Sequence, residues 1–365
     1  MRIAIVGAGL AGLACAHELE RLGFAPEIFE KGGCVGDRFV ATETMAQFMH
    51  VNPRQDILTY LHEELLLPVR PDYAVSRFVA HSATHEAEIS GQLGYVTIRG
   101  RDDRSLERQL ARHVSARIHF RSAPDVEDLR REYDQVVVAT GDQSWTNRLA
   151  SWQPDLAWGG QGALVRGHFT PGELHFFFNT RYAGTGYAQL TPVDERTAIA
   201  GVGVPNATET TLDEYWERFR SDQGYRWDAE ESPFRLIKYT CGQVRPVVSG
   251  NVLLVGVAGG FLESLGLTGQ CPSLSSGVMA ARQIALNDRS LDRFARRWRV
   301  YYNQVDRIRR NVNAWTDEEM DHMVLALRMG GNLLARSPWN LLAPGAAVLD
   351  MLRLADDPSP EIGLS

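Results

Sequence analysis

Three glycines and one carboxylate near the N-terminus carry the first recognisable chemistry. Ile3-Ala4-Ile5-Val6-Gly7-Ala8-Gly9-Leu10-Ala11-Gly12 sets GxGxxG directly after an apolar strand. In this pattern Gly7 permits a tight turn, Gly9 lets the backbone approach a pyrophosphate, and Gly12 lets the following helix pack on the strand. The backbone of Ala8, Leu10 and Ala11 completes the turn, whose free N–H groups and positive dipole end suit phosphate. A second strand, Pro26–Phe29, ends in Glu30, eighteen residues after Gly12. A carboxylate there accepts hydrogen bonds from both ribose hydroxyls and repels a 2′-phosphate, so the site suits the adenosine of FAD or NAD. The next loop, Lys31-Gly32-Gly33-Cys34-Val35-Gly36-Asp37-Arg38, is glycine-rich and ends in an arginine. Lys31 and Arg38 are candidates to reach a pyrophosphate or a flavin edge. A long flavin dinucleotide lying across the domain uses such a loop; an NAD dehydrogenase has no particular need of it. No second GxGxxG occurs, so a single dinucleotide fold is expected.

The elements that must position these groups follow from periodicity. Residues 2–30 read strand, turn, helix, strand. The same style returns near Tyr95–Arg99, Ser105–His113, Arg117–Arg121 and Gln135–Ala139. Short runs at Ala163–His168, Leu174–Asn179, Tyr187–Thr191 and Ala198–Val204, separated by turn residues, read as an antiparallel sheet. From Leu267 onward the pattern is helical, and residues 292–316 set Phe294, Trp298, Tyr301, Val305 and Ile308 on one face. If the strand at Asn251–Val255 belongs with the first unit, that unit is discontinuous and the antiparallel sheet is inserted into it. The 365 residues carry 45 acidic and 38 basic side chains, a net charge of −7, which argues against nucleic acid as a partner. At 44% apolar and 23% charged the chain is globular rather than disordered. No apolar run approaches the roughly 20 residues that span a bilayer, and a cytoplasmic location is expected.

Further segments resemble the flavoproteins of the para-hydroxybenzoate hydroxylase fold, and most of all the geranylgeranyl reductase family. Tyr95–Arg99 with Leu106 and Leu110 looks like the strand and helix before the adenine-side strand, with Arg99 or Arg101 as the flavin-proximal arginine. Val136-Val137-Val138-Ala139-Thr140-Gly141 is similar to the family's strand and turn at the cofactor, Thr140 replacing an aspartate. Asn251–Gly260 looks like the strand and turn that hold the ribityl chain, followed by Thr268-Gly269-Gln270 and a helix aimed at the flavin. By this resemblance Gly256 and Val257 lie at the ribityl-pyrophosphate. Thr268, Gly269 and Gln270 polarise the pyrimidine edge, where a helix N-terminus stabilises anionic reduced flavin. Val257 stands where the family has an aspartate, a lost charged hydrogen bond of about 1.5–3 kcal/mol. Cys271-Pro272 replaces a flexible step. The family motif YxWxFP followed by GxG is similar to Tyr187-Ala188-Gln189-Leu190-Thr191-Pro192 with Gly201-Val202-Gly203. Gln189 and Thr191 replace its two aromatics, so the slot beside the flavin is expected to be more polar.

The expectation is an α/β fold: a discontinuous Rossmann-type FAD-binding domain (1–65, 92–150 and 245–290), an inserted antiparallel-sheet substrate domain (66–91 and 151–244), and a helical C-terminal segment (291–365). Its activity is FAD-dependent hydride transfer, a reduction in preference to an oxygenation, between flavin N5 and an apolar or amphipathic, isoprenoid-like or lipid-like substrate. Tyr187, Gln189 and Cys271 are the catalytic candidates. Electrons come from NAD(P)H or from a separate donor protein. Alternatives are a flavin monooxygenase of the same fold, a nucleotide-binding protein without catalysis, and a quinone-linked electron carrier. The four cysteines, Cys15, Cys34, Cys241 and Cys271, show neither a redox pair nor a metal spacing. His81 and His85 with Glu86 and Glu88 read as a solvated loop, and no metal is expected. Leu333, Leu334, Trp339, Leu341, Leu342, Val348, Met351 and Leu352 read as an amphipathic cover over the pocket, the alternative being peripheral contact with a membrane.

Overall fold

The computed structural model describes residues 1–37, 41–47 and 55–335. Two sheets organise them. The first is built from β1 (Ile3–Val6), β2 (Glu27–Glu30), β6 (Ile118–Phe120), β7 (Gln135–Val138), β13 (Val248–Ser249) and β14 (Val252–Leu254), in the order β13-β14-β7-β1-β2-β6. Apart from the β13–β14 hairpin, the pairings are parallel. Ile3 to Val6 are all buried, as a central parallel strand covered on both faces requires. Helix α1 (Leu10–Arg21) follows β1 at once. Its Leu13, Ala14, Cys15 and Leu19 are fully buried, so Cys15 is a core residue.

The second sheet has eight strands: β3 (Ala41–Ala46), β4 (Tyr73–His81), β5 (Glu86–Arg99), β8 (Ser151–Arg166), β9 (Glu173–Phe177), β10 (Tyr187–Pro192), β11 (Thr197–Pro205) and β12 (Ala229–Arg245). Their order is β12-β8-β11-β10-β9-β4-β5-β3, antiparallel except where β4 runs parallel to β9. β3 and the 92–99 half of β5, which the sequence suggested belong with the first unit, pair here instead. Local propensity identifies a strand; only long-range pairing decides which sheet receives it.

The two faces of this sheet are distinct. Helix α2 (Glu209–Gln223) sets Leu212, Trp216 and Phe219 against Phe177, Ala188, Leu190 and Val202 on one face. The other face carries Phe78, Phe176, Tyr187 and Gln189. Helices α3 (Gln270–Leu286) and α4 (Ser290–Val312) cover the first sheet, and α5 (Asp317–Ala335) lays Met323, Val324 and Leu327 over Phe78, Ala80 and Ala87.

The parallel β4–β9 seam contains two stacked histidines. His81 Nε2 lies 2.9 Å from His175 Nδ1, and Glu173 meets the far nitrogen of His175 at 2.8 Å. Burial and the neighbouring His175 push His81 down to about 4. A base whose pKa is lower in the folded state holds fewer protons when folded, so stability rises with pH between about 4 and 6.5. The shift corresponds to about 3 kcal/mol lost by the acid end of that window. Denaturant midpoints of His81→Gln and the parent, measured across the window, are expected to converge or cross as pH falls. A constant gap between them would show that His81 does not titrate this way.

Candidate active site

The C-terminal edge of the parallel sheet is where the glycine turn, Glu30 and the β7 and β14 turns meet. Each glycine of the turn has its own reason. At Gly7, with φ of +109°, an added Cβ would run into the Ala139 carbonyl. At Gly12 it would run into the Gly7 carbonyl, which is how closely α1 approaches β1. At Gly9 it would meet nothing within 4 Å, so the backbone faces open space. Gly141, three residues past the end of β7, is equally open, with φ of +74°. The first N–H groups of α1 have no acceptor within their own helix.

Glu30 reaches across to this turn. Its Oε2 accepts from the Ala8 N–H at 2.7 Å and its Oε1 from the Gly32 N–H at 2.6 Å. These bonds fix the carboxylate beside the phosphate turn, and each oxygen keeps a lone pair for a ribose hydroxyl. Lys31 is exposed and pairs with Asp142 at 3.2 Å across the mouth of the site. The Thr140 hydroxyl donates to the Asp142 carbonyl at 3.2 Å. Arg38 falls outside the described residues. Arg99 is placed differently from the sequence expectation. Its guanidinium donates to Glu107 at 2.9 Å and to Glu43 at 2.6 Å, tying β3, β5 and the helical turn Leu106–Ala111 together instead of facing a cofactor.

The other half of the site comes from the C-terminal elements. Gly256, with φ of +58°, donates its N–H to Ser276 Oγ at 3.0 Å. A Cβ at Gly256 would sit 3.0 Å from Ala11 Cβ, and one at Gly277 would run into the Ala11 carbonyl. These two glycines seat α3 directly on α1. Val257 packs with Leu156, Trp158, Leu262 and Tyr187, joining the two sheets through an apolar contact. Gly269 caps α3, and Gln270 accepts from the Thr97 hydroxyl at 2.7 Å. The Thr268 N–H and hydroxyl both donate to Glu263 Oε1, at 2.7 and 3.0 Å. The side chains of Thr268 and Gln270 are thus held within the protein, and the α3 N-terminus offers backbone rather than side chains.

Glu263 is the site residue that sequence reading missed. It is fully buried and also accepts from the Leu265 and Gly266 N–H groups. Burial raises its carboxyl pKa while these four donors pull it down. Its signal was available: a lone acidic residue inside the apolar, glycine-rich stretch Gly259–Gly266. It folds the loop whose Gly266 carbonyl accepts from the Tyr187 hydroxyl at 3.2 Å, and whose Ser264 carbonyl accepts from Trp158 Nε1 at 3.1 Å.

Tyr187 therefore stands at the junction of the two sheets, its ring 5.3 Å from Phe176 and 5.8 Å from Trp158. Burial, reinforced by Glu263, holds its phenol well above the usual tyrosine range, so it donates a hydrogen bond without ionising. Gln189 shares its face, in register with Phe176 on β9 and Gly201 on β11. Cys271 lies in the first turn of α3 and is 9% exposed; burial pushes its thiol up to about 12. Its thiolate is scarce near neutrality, which disfavours a nucleophilic or redox role. A chromogenic disulfide reagent at mildly alkaline pH is expected to modify Cys34 and to spare Cys271. Rapid labelling of a Cys34→Ser variant at Cys271 would contradict this burial.

Residues 1–204 match the family model described as pyridine nucleotide-disulphide oxidoreductase. The digeranylgeranylglycerophospholipid reductase 2 of Methanothermobacter thermautotrophicus is 26% identical over 260 residues, a match spanning 65% of this chain and 65% of that protein. A geranylgeranyl bacteriochlorophyll reductase-like structure from Thermoplasma acidophilum superposes with a TM-score of 0.69 at 15% identity, covering 95% of this chain and 98% of that one. A flavin-dependent brominase superposes at 0.66, also with 15% identity, over 98% and 99% of the two chains. At such identities the structural likenesses establish a common fold.

Proposed function

The chain belongs to the pyridine nucleotide-disulphide oxidoreductase family, and from that premise we propose an FAD-dependent oxidoreductase that moves hydride between flavin and an apolar or amphipathic, lipid-like substrate. One observation carries the reading. The open Gly9 turn, the Glu30 carboxylate and the α3 N-terminus all lie at one sheet edge, and the loop before α3 is bonded to Tyr187 of the second sheet. The residues present fit FAD: a Cβ at Gly9 or at Gly141 would meet nothing within 4 Å, so the turn backbone is open to a pyrophosphate, and Glu30 suits an unmodified ribose. Bound there, FAD supplies the hydride-transferring centre. The N–H groups of Gly9, Leu10 and Ala11 would hold its phosphates, and the α3 N-terminus would favour negative charge on the flavin.

The chain's cysteines support chemistry at a bound substrate over chemistry at a protein disulfide. All four are free, and Cys15, Cys241 and Cys271 are buried. Trp158, Phe176 and Leu262 exclude water around Tyr187, whose hydroxyl and the Gln189 amide orient the polar end of the substrate. The likeness to a digeranylgeranylglycerophospholipid reductase supports an isoprenoid lipid as the first substrate to try. The reductant is NAD(P)H docking transiently or a separate electron carrier.

The purified protein is expected to show flavin absorption bands that survive gel filtration. After anaerobic reduction with dithionite, an unsaturated isoprenoid lipid is expected to reoxidise it. Absence of bands even with added FAD would overturn the proposal. Turnover only with dioxygen and substrate together would make the enzyme a monooxygenase of the same fold.

A further inference from the structure

The outer face of α4 has no role in the site above. The helix carries seven arginines and two aspartates in a chain of net charge −7. At 100° per residue, Arg293, Arg296, Arg297, Val300, Gln304 and Arg307 fall within one stripe. The stripe contains no acidic residue and runs roughly 21 Å at 1.5 Å per residue. Its opposite face, with Phe294, Trp298, Tyr301 and Val305, is buried. Asp306 is buried and paired with Arg310 at 2.6 Å at the edge of the stripe, and Arg293 meets Asp288 at 2.7 Å. Arg296 and Arg297 form no ion pair among the described residues. Desolvation, and after it the positive charges of Arg245 and Arg296, weaken the hold of Arg299 on its proton. At the centre of the stripe Val300 is 62% exposed.

We propose that this α4 stripe docks the protein on an anionic lipid bilayer. A cationic stripe with an apolar side chain set among the guanidinium groups suits a headgroup layer. Phosphates meet the arginines, the arginine stems lie along the acyl boundary, and Val300 enters it. A nucleic acid would use the charge but gain little from an exposed valine at its centre. No helix among the described residues is long and apolar enough to cross a membrane, so the docking is peripheral.

The test is flotation of the full chain with vesicles of phosphatidylcholine alone or with phosphatidylglycerol, at low and high salt. The protein is expected to float with the anionic vesicles at low salt only. Each arginine removed is expected to lower partitioning about five-fold. Arg296→Glu/Arg297→Glu should therefore lose binding by well over tenfold, and Val300→Asp should weaken it with no arginine removed. Arg112→Glu/Arg131→Glu changes net charge equally on other helices and should bind like the parent. Flavin absorption and thermal melting, followed in every variant, report folding separately. Failure of the parent to float, equal loss in the control pair, or binding to duplex DNA as tight as to vesicles and insensitive to Val300→Asp, would each overturn the proposal.

Discussion

Gly9→Ala is expected to leave the protein folded and to remove its hold on a dinucleotide. The new methyl meets no atom within 4 Å, and Gly9 has φ of −89°, which alanine adopts freely. Thermal stability should stay within about 0.5 kcal/mol of the parent. The same methyl would occupy the space through which, in the proposed site, a pyrophosphate reaches the first N–H groups of α1. Two charge-assisted hydrogen bonds at about 1.5–3 kcal/mol each amount to a loss of a hundredfold or more in affinity. Equilibrium titration with FAD, followed by flavin fluorescence, measures it. An alanine variant that binds FAD like the parent would place the pyrophosphate elsewhere.

Gly277→Ala is expected to do the reverse and damage the fold itself. Its methyl would collide with the Ala11 carbonyl, a backbone group that cannot rotate away. Over-packing costs about 1–3 kcal/mol where side chains can yield, and a backbone collision belongs at the upper end or beyond. Thermal unfolding should move down by several degrees, with α3 displaced from α1. Because the collision is with main chain, adding Ala11→Gly should give no rescue. Full rescue by that second change, or an unchanged melting temperature, would show that α3 rides less closely on α1 than these positions indicate. The two glycines thus separate the requirements of a ligand from those of packing.

Much of this was legible in the sequence because it is local. An apolar strand, a glycine turn and an amphipathic helix follow from consecutive residues, so β1, α1 and the placement of Glu30 at the end of β2 were readable. The short runs at 187–191 and 198–204, set off by turn residues, likewise marked β10 and β11. The face of Tyr187 and Gln189 follows from the two-residue period of a strand.

Other features depended on contacts between distant residues. Arg99 looked available for a cofactor, but Glu43 and Glu107, brought to it by the β3–β5 pairing and the following helix, take its donors. Thr268 looked available for a pyrimidine edge, but a buried Glu263 takes its N–H and hydroxyl. A buried carboxylate must be satisfied by nearby donors, and sequence does not state which groups will be desolvated together. Short-range sterics and periodicity set the glycine turn and the elements around it, so consecutive residues suffice to read them. The tertiary structure alone decided which sheet receives β3 and β5, how α3 rests on α1, and which polar groups remain free in the site. Those outcomes depend on long-range pairing and on burial, and each is shared among residues far apart in the chain.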